Sequence, residues 1–288
     1  MPAPNSLPRA LLVVDTSESM NVPIDPADPE CLGCGSHNGW GPCPNSCPTR
    51  LSALQSATPT FLHSIAGSAR VGLVTFPNAS SPEMEICRVP TQGNVAVAIP
   101  DSDDSVVLAD AATSIETVVS GVNAFGGTPV AGTLEMLANY PPLLDSSARR
   151  YVVLLTDGLP NCNANQDGNA CTCITGEAQC DPRNCLDRAA TVAAIQALAA
   201  KGIRTLVIGF GNDWNEPTAA AVLSEMAIAG GYARSCPSGQ DAECGLDNSC
   251  DPVTHFCSRP YYRASDAVQL NAVYSQVRQE LIGTAHTP

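Results

Sequence analysis

Four short runs are almost continuously apolar and rich in β-branched residues: "ALLVV" (10–14), "VGLVTF" (71–76), "YVVLLT" (151–156) and "RTLVIGF" (204–210). A strand with one wet face alternates apolar and polar residues. A continuously apolar strand is buried on both faces, the habit of parallel sheets covered by helices. Helical spacing fills the gaps. Leu51, Leu54, Phe61, Leu62 and Ile65 share one stripe, with Thr49 as N-cap and a kink at Pro59. Val106, Val107, Ile115, Val118 and Val119 form a second stripe, and Val130, Leu134 and Leu137 a third. Val192, Ile195 and Leu198, then Val222, Leu223 and Met226, mark a fourth and fifth. Leu270, Val273, Tyr274, Val277 and Leu281 mark a sixth. This alternation predicts an α/β fold: a doubly wound, mostly parallel sheet with helices on both faces. "NVAVAI" (94–99) alternates more and suits an antiparallel edge strand, and "YYRA" (261–264) completes six strands.

Three stretches break the alternation and exceed ordinary connections. Residues 21–48 hold Cys31, Cys34, Cys43 and Cys47. Residues 160–186 hold Cys162, Cys171, Cys173, Cys180 and Cys185, and residues 233–260 hold Cys236, Cys244, Cys250 and Cys257. Removing these insertions leaves about 200 residues, one domain's worth, so 1–288 reads as a single domain. In a parallel sheet the carboxyl ends of the strands share one rim, where ligands bind. The first two insertions and Cys87 follow strands and belong to that rim. The third precedes a strand and belongs to the opposite pole. Both poles then hold an even number of cysteines, and disulfides are not expected to cross between them.

Fourteen cysteines in 288 residues imply an oxidising compartment. The opening "MPAPNSLPRA" lacks the apolar core of a secretory leader, so the expectation is a mature chain whose export signal has been removed. No apolar run is long enough to span a bilayer. The net charge of −14 disfavours nucleic acid and anionic membrane and suits divalent cations.

The rim concentrates oxygen. "DTSES" places Asp15, Ser17 and Ser19 at every second position after the first strand. "FGGTPVAGT" offers Thr128 ahead of an apolar helix, with Thr128 as N-cap and Pro129 as first helical residue. "LLTDG" ends a strand on Asp157. Two carboxylates and three hydroxyls, with no sulfur or imidazole, suit a hard divalent cation: Mg²⁺, Ca²⁺ or Mn²⁺. Such a set carries less negative charge than a cage of four acids would and leaves the ion receptive to another anion.

Asp-x-Ser-x-Ser after the first strand, Thr in a second loop and Asp-Gly after a later strand resemble the von Willebrand factor A domain. The resemblance implies a Rossmann-like fold and a metal-ion-dependent adhesion site. In it Ser17 and Ser19 bind the metal directly, and Asp15, Thr128 and Asp157 bind directly or through water. It also implies a partner carboxylate on the remaining position and a coupled movement of the last helix (about 266–283). Many members carry Gly where this chain has Glu18, whose side chain is expected to point out of the site. A narrower resemblance is to the cysteine-rich surface lipoproteins of this family that act as adhesins in bacterial gliding motility. It rests on "DTSESM", the insertion ending "CPTRLSALQ", and "ARVGLVTFP". It implies a lipid-anchored protein of the outer-membrane surface and a partner in the motility machinery. No Ser-His-Asp or Cys-His pairing stands in a credible context, so a protein that is not an enzyme is expected.

Competing readings are weaker. Cys31-x₂-Cys34 and Cys43-x₃-Cys47 imitate a zinc site. "GGTPVAGT" has phosphate-loop glycines but Thr133 where the lysine belongs. An aspartyl phosphatase would need a carboxylate where Ser17 stands. His37, His63, His255 and His286 form no spaced cluster. Asp101, Asp103, Asp104 and Asp110 read as an acidic helix start, and Asn78-Ala79-Ser80 as an incidental sequon. A structural subunit making its contacts through the cysteine-rich insertions is the principal alternative to a metal-dependent adhesin.

Overall fold

The computed structural model describes residues 6–35, 42–78, 86–174, 180–211, 217–245 and 248–283. Its strands are β1 (Arg9–Asp15), β2 (Arg70–Phe76), β3 (Arg150–Thr156), β4 (Ile203–Phe210) and β5 (Tyr262–Ala264). They form one all-parallel sheet in the order β2-β1-β3-β4-β5. The helices are α1 (Arg50–Ile65), α2 (Ser105–Gly121), α3 (Val130–Leu137), α4 (Pro141–Leu144), α5 (Arg188–Ala200), α6 (Pro217–Ala229), α7 (Asp241–Cys244) and α8 (Ala267–Ile282). Each of the six apolar stripes becomes a helix, and α4 and α7 are single turns.

Side chains of β1 alternate between two cores, which is why the strand is apolar throughout. Ala10, Leu12 and Val14 pack with α1, α2 and α8. Leu11 and Val13 pack with α3, α5 and α6. Thr49 caps α1 as expected, accepting from the Ser52 amide at 3.2 Å while its own amide donates to Ser52 Oγ at 2.8 Å. Pro59 lies within α1. Asp104 caps α2, accepting from the amides of Val106 and Val107.

Among the described residues five strands replace the expected six, and none of them is antiparallel. Residues 94–99 make one antiparallel bridge in place of an edge strand: Val97 and Leu73 exchange backbone bonds of 2.8 and 3.0 Å. Two local events stop the ladder. A 3₁₀ turn over Gln92–Asn94 occupies its start. At its end, the Ile99 amide donates to the Tyr140 hydroxyl. The bridge passes so close to β2 that a Cβ on Gly72 would lie 2.8 Å from both Ile99 N and Val97 O.

All fourteen cysteines are paired, leaving no thiolate for the zinc alternative. Cys31–Cys47 and Cys34–Cys43 staple the first insertion. Cys171–Cys185 and Cys173–Cys180 staple the second, and Cys236–Cys250 and Cys244–Cys257 the third. Cys87–Cys162 alone joins two separate segments. The four cysteines of 233–260 pair among themselves. The order 2-1-3 makes the chain leave β1 and β3 toward opposite sides, which opens a crevice at their carboxyl ends.

Candidate metal centre

Adjacent parallel strands deliver the two carboxylates together. Val14 lies opposite Leu155, so Asp15 ends β1 beside Thr156 and Asp157. Asp15 is held on both oxygens: the Ser17 amide donates to Oδ1 at 2.8 Å, and Thr156 Oγ1 to Oδ2 at 2.7 Å. Ser17 is extended and begins the 3₁₀ turn Glu18–Asn21. That turn swings Ser19 back toward Ser17, with their hydroxyl oxygens 2.9 Å apart. Ser19 Oγ donates to Asp157 Oδ1 at 2.8 Å. A Cβ on Gly158 would lie 3.5 Å from Thr128 Oγ1 and 3.6 Å from Ser19 Oγ. The five residues singled out by sequence therefore converge on one rim. Asp15, Ser17, Thr128 and Asp157 are buried, Ser19 is half-buried, and Glu18 is exposed.

The Thr128 loop is fixed from two sides. The Thr128 amide donates to Asn161 Oδ1 at 2.7 Å, and the Asn161 amide returns a bond to Thr128 O at 3.0 Å. Gly127 lies against the Cys87–Cys162 disulfide, where a Cβ would meet Cys162 Sγ at 2.5 Å. Gly126 has φ +87° and donates room to the Ile86 carbonyl, which a Cβ would approach to 2.6 Å. Both glycines are needed for this close passage. The motif loop is tied to the same segment by the Phe125 amide on Thr16 O and the Glu18 amide on Gly126 O. Contrary to expectation, α3 begins at Val130 with Pro129 in the capping position, and Thr128 caps nothing.

Burial is the largest influence on Asp15 and the Asp157 charge the next. Together they push its carboxyl up to about 7, against the hydrogen bonds from Ser17 and Thr156. Two buried carboxylates ringed by hydroxyl oxygens fit a hard divalent cation, which would relieve the repulsion that Asp15 feels from Asp157.

Sequence reasoning missed three partners. Arg50 is buried and its Nη1 donates to Asp157 Oδ2 at 2.8 Å. The helical stripe was its signal, since stepping back from Phe61 through Ala57 and Leu54 lands on Arg50. Thr156 and Asn161 were passed over as strand end and insertion. Thr133, at the phosphate-loop position, is buried and bonded to Pro129 O. His63 and His255 lie apart from the site, and His37, His286, Ala79 and Ser80 lie outside the described residues.

The family model of the von Willebrand factor type A domain matches residues 10–159, more than half of the chain. The protein therefore belongs to the von Willebrand factor type A family. Among solved structures, it is similar to the pilus adhesin SpaC from Lactobacillus rhamnosus GG. One SpaC structure has a TM-score of 0.55 at 16% identity, with 96% of this chain and 31% of that chain covered. An open conformation of SpaC gives 0.54 at 16% identity, covering 96% and 30%. The manganese-loaded TRAP protein of Plasmodium vivax follows at 0.48 and 14% identity, covering 96% of this chain and 73% of that one. The chain thus spans less than a third of the length of SpaC. No curated protein sequence matches it.

Proposed function

We propose that this protein is a non-enzymatic, cell-surface adhesion module that binds its ligand through a divalent cation. Asp15, Ser17, Ser19, Thr128 and Asp157 would hold the ion, which is Mg²⁺, Ca²⁺ or Mn²⁺. When bound, it supplies a Lewis-acidic positive centre for a carboxylate of a protein or surface ligand. The observation that carries this reading is the unbroken run of oxygens from Ser17 through Ser19 to Asp157, beside the buried Asp15. Glu18 is exposed, which leaves the sixth position to an outside ligand. Seven disulfides support an exported protein, and no described helix is long and apolar enough to cross a membrane. On the sequence resemblance, we assign the chain to the gliding-motility surface lipoproteins: a single domain, lipid-anchored at the outer membrane and working with the motility machinery.

A second reading has its own support. The insertions expose large apolar side chains, Leu32 on the first and Val253 (85% exposed) and Phe256 on the third. Such groups fit a structural subunit that docks through its insertions. One experiment separates the two. Cell attachment is measured for wild type, with and without EDTA, for Asp15→Ala, for Ser17→Ala/Ser19→Ala, and for deletion of 233–260. Loss of attachment in EDTA and in both site variants, with the deletion still attaching, supports the adhesin. Attachment that survives EDTA and the site variants but is lost in the deletion overturns it in favour of the structural subunit.

A further inference from the structure

Arg50 is a cationic side chain that touches the candidate centre, and the fold goes to some length to put it there. Its side chain is 3% exposed and Asp157 accepts from it with a side chain that is fully buried. To reach Asp157 it passes Gly211, at the end of β4, where a Cβ would lie 2.9 Å from Arg50 Nε and 3.1 Å from Cζ. Any other residue at 211 would obstruct that path, and Gly211 also has φ +119°.

The first insertion supplies the other restraint. Its two ends are sewn together where α1 begins. The Arg50 amide donates to Val22 O at 3.1 Å, the Ile24 amide donates to Pro48 O at 2.9 Å, and Pro23 pairs with Thr49 in an antiparallel bridge. Cys31–Cys47 closes the loop just beyond. Val22 follows directly on the turn that carries Ser19. The insertion thus returns the chain to the motif it left and delivers a guanidinium into it.

A guanidinium stays charged under all ordinary conditions. At Asp157 Oδ2 that charge stands where a divalent cation would also be drawn. We propose that Arg50 is a built-in counter-cation of this centre: it competes with the divalent ion for Asp157 and so sets how tightly the ion is held. The inference rests on the metal-binding reading above.

The test is Mn²⁺ binding, followed by the electron paramagnetic resonance signal of free Mn²⁺, with thermal melting in EDTA to show that each variant is folded. Arg50→Met removes the charge, and at the few ångströms involved it should tighten Mn²⁺ binding by about tenfold or more. Arg50→Lys keeps the charge and should stay within about threefold of wild type. If Arg50→Met does not fold, Arg50→Gln retains a donor for Asp157 without the charge and should also bind more tightly. Mn²⁺ binding that is unchanged or weaker in the uncharged variants overturns the role of Arg50 while leaving the metal site standing. Binding in none of the proteins, wild type, Asp157→Ala and Arg50→Met alike, overturns both readings. Binding only in Arg50→Met supports the competition directly.

Discussion

At the scale of single residues, Asp15 carries the main electrostatic tension. Its carboxyl is raised from 3.8 to about 7, first by burial and then by Asp157. The folded protein therefore keeps a proton between about pH 4 and pH 7 that the unfolded chain has already lost. A group of this kind favours the folded state below its unfolded value, and that contribution disappears as pH rises through the folded value. Without divalent cations, thermal stability should fall as pH rises from about 4 to about 7 and level off above. Asp15→Asn should flatten that fall. Melting temperatures in EDTA across this range check the expectation, and an equal fall in Asp15→Asn contradicts it. The gathering of Asp15, Ser17, Ser19, Thr128 and Asp157 at one rim was legible in sequence, because Asp15 and Asp157 end parallel strands whose carboxyl ends share it. Arg50 was overlooked because a charged residue at a helix start normally faces water, although its place on the stripe of Leu54, Ala57 and Phe61 marks the buried face.

At the scale of elements, α1 links the site to the rest of the domain. Its first residue touches Asp157, and its middle packs on α8, where the rings of Phe61 and Tyr274 stack at 4.5 Å. Arg278 of α8 also donates to Ser64 O at the end of α1. A shift of α8 would thus reach the centre through α1 and Arg50. The second connection is Cys87–Cys162, which spans 75 residues and lies against Gly127, next to Thr128. Replacing both cysteines by Ala should cost about 4 kcal/mol through the freed loop, measured by denaturant unfolding. It should also weaken Mn²⁺ binding several-fold, because Thr128 loses one wall of its loop. A variant that loses stability but binds Mn²⁺ as tightly as wild type would restrict the disulfide to a purely structural role. Strands and long helices were legible because their periodicity is set by burial on one or both faces. The 94–99 segment was misread because its alternation is real but its ladder is decided elsewhere, by Tyr140 and by the 3₁₀ turn before it.

At the scale of the whole molecule, an ordinary doubly wound domain carries three insertions, and the sheet order explains where the chemistry lies. The order β2-β1-β3-β4-β5 puts the reversal between β1 and β3, and both carboxylates stand at that point. This much followed from polarity alone: parallel strands align their carboxyl ends, and loops that leave them must meet. The pairing of the cysteines did not follow, because many connectivities satisfy the same spacing. Nor did the first insertion's role in delivering Arg50, which depends on how its two ends meet. The net charge of −14 suits the same account, since it draws cations toward a rim already lined with oxygen. Whether these five residues hold a divalent ion is decided by a crystal of the wild-type protein soaked in Mn²⁺. An anomalous peak bounded by Ser17, Ser19 and Asp157 is expected, with Glu18 turned away from it. A fully soaked crystal with no peak there, and with the Ser19–Asp157 hydrogen bond intact, would contradict it.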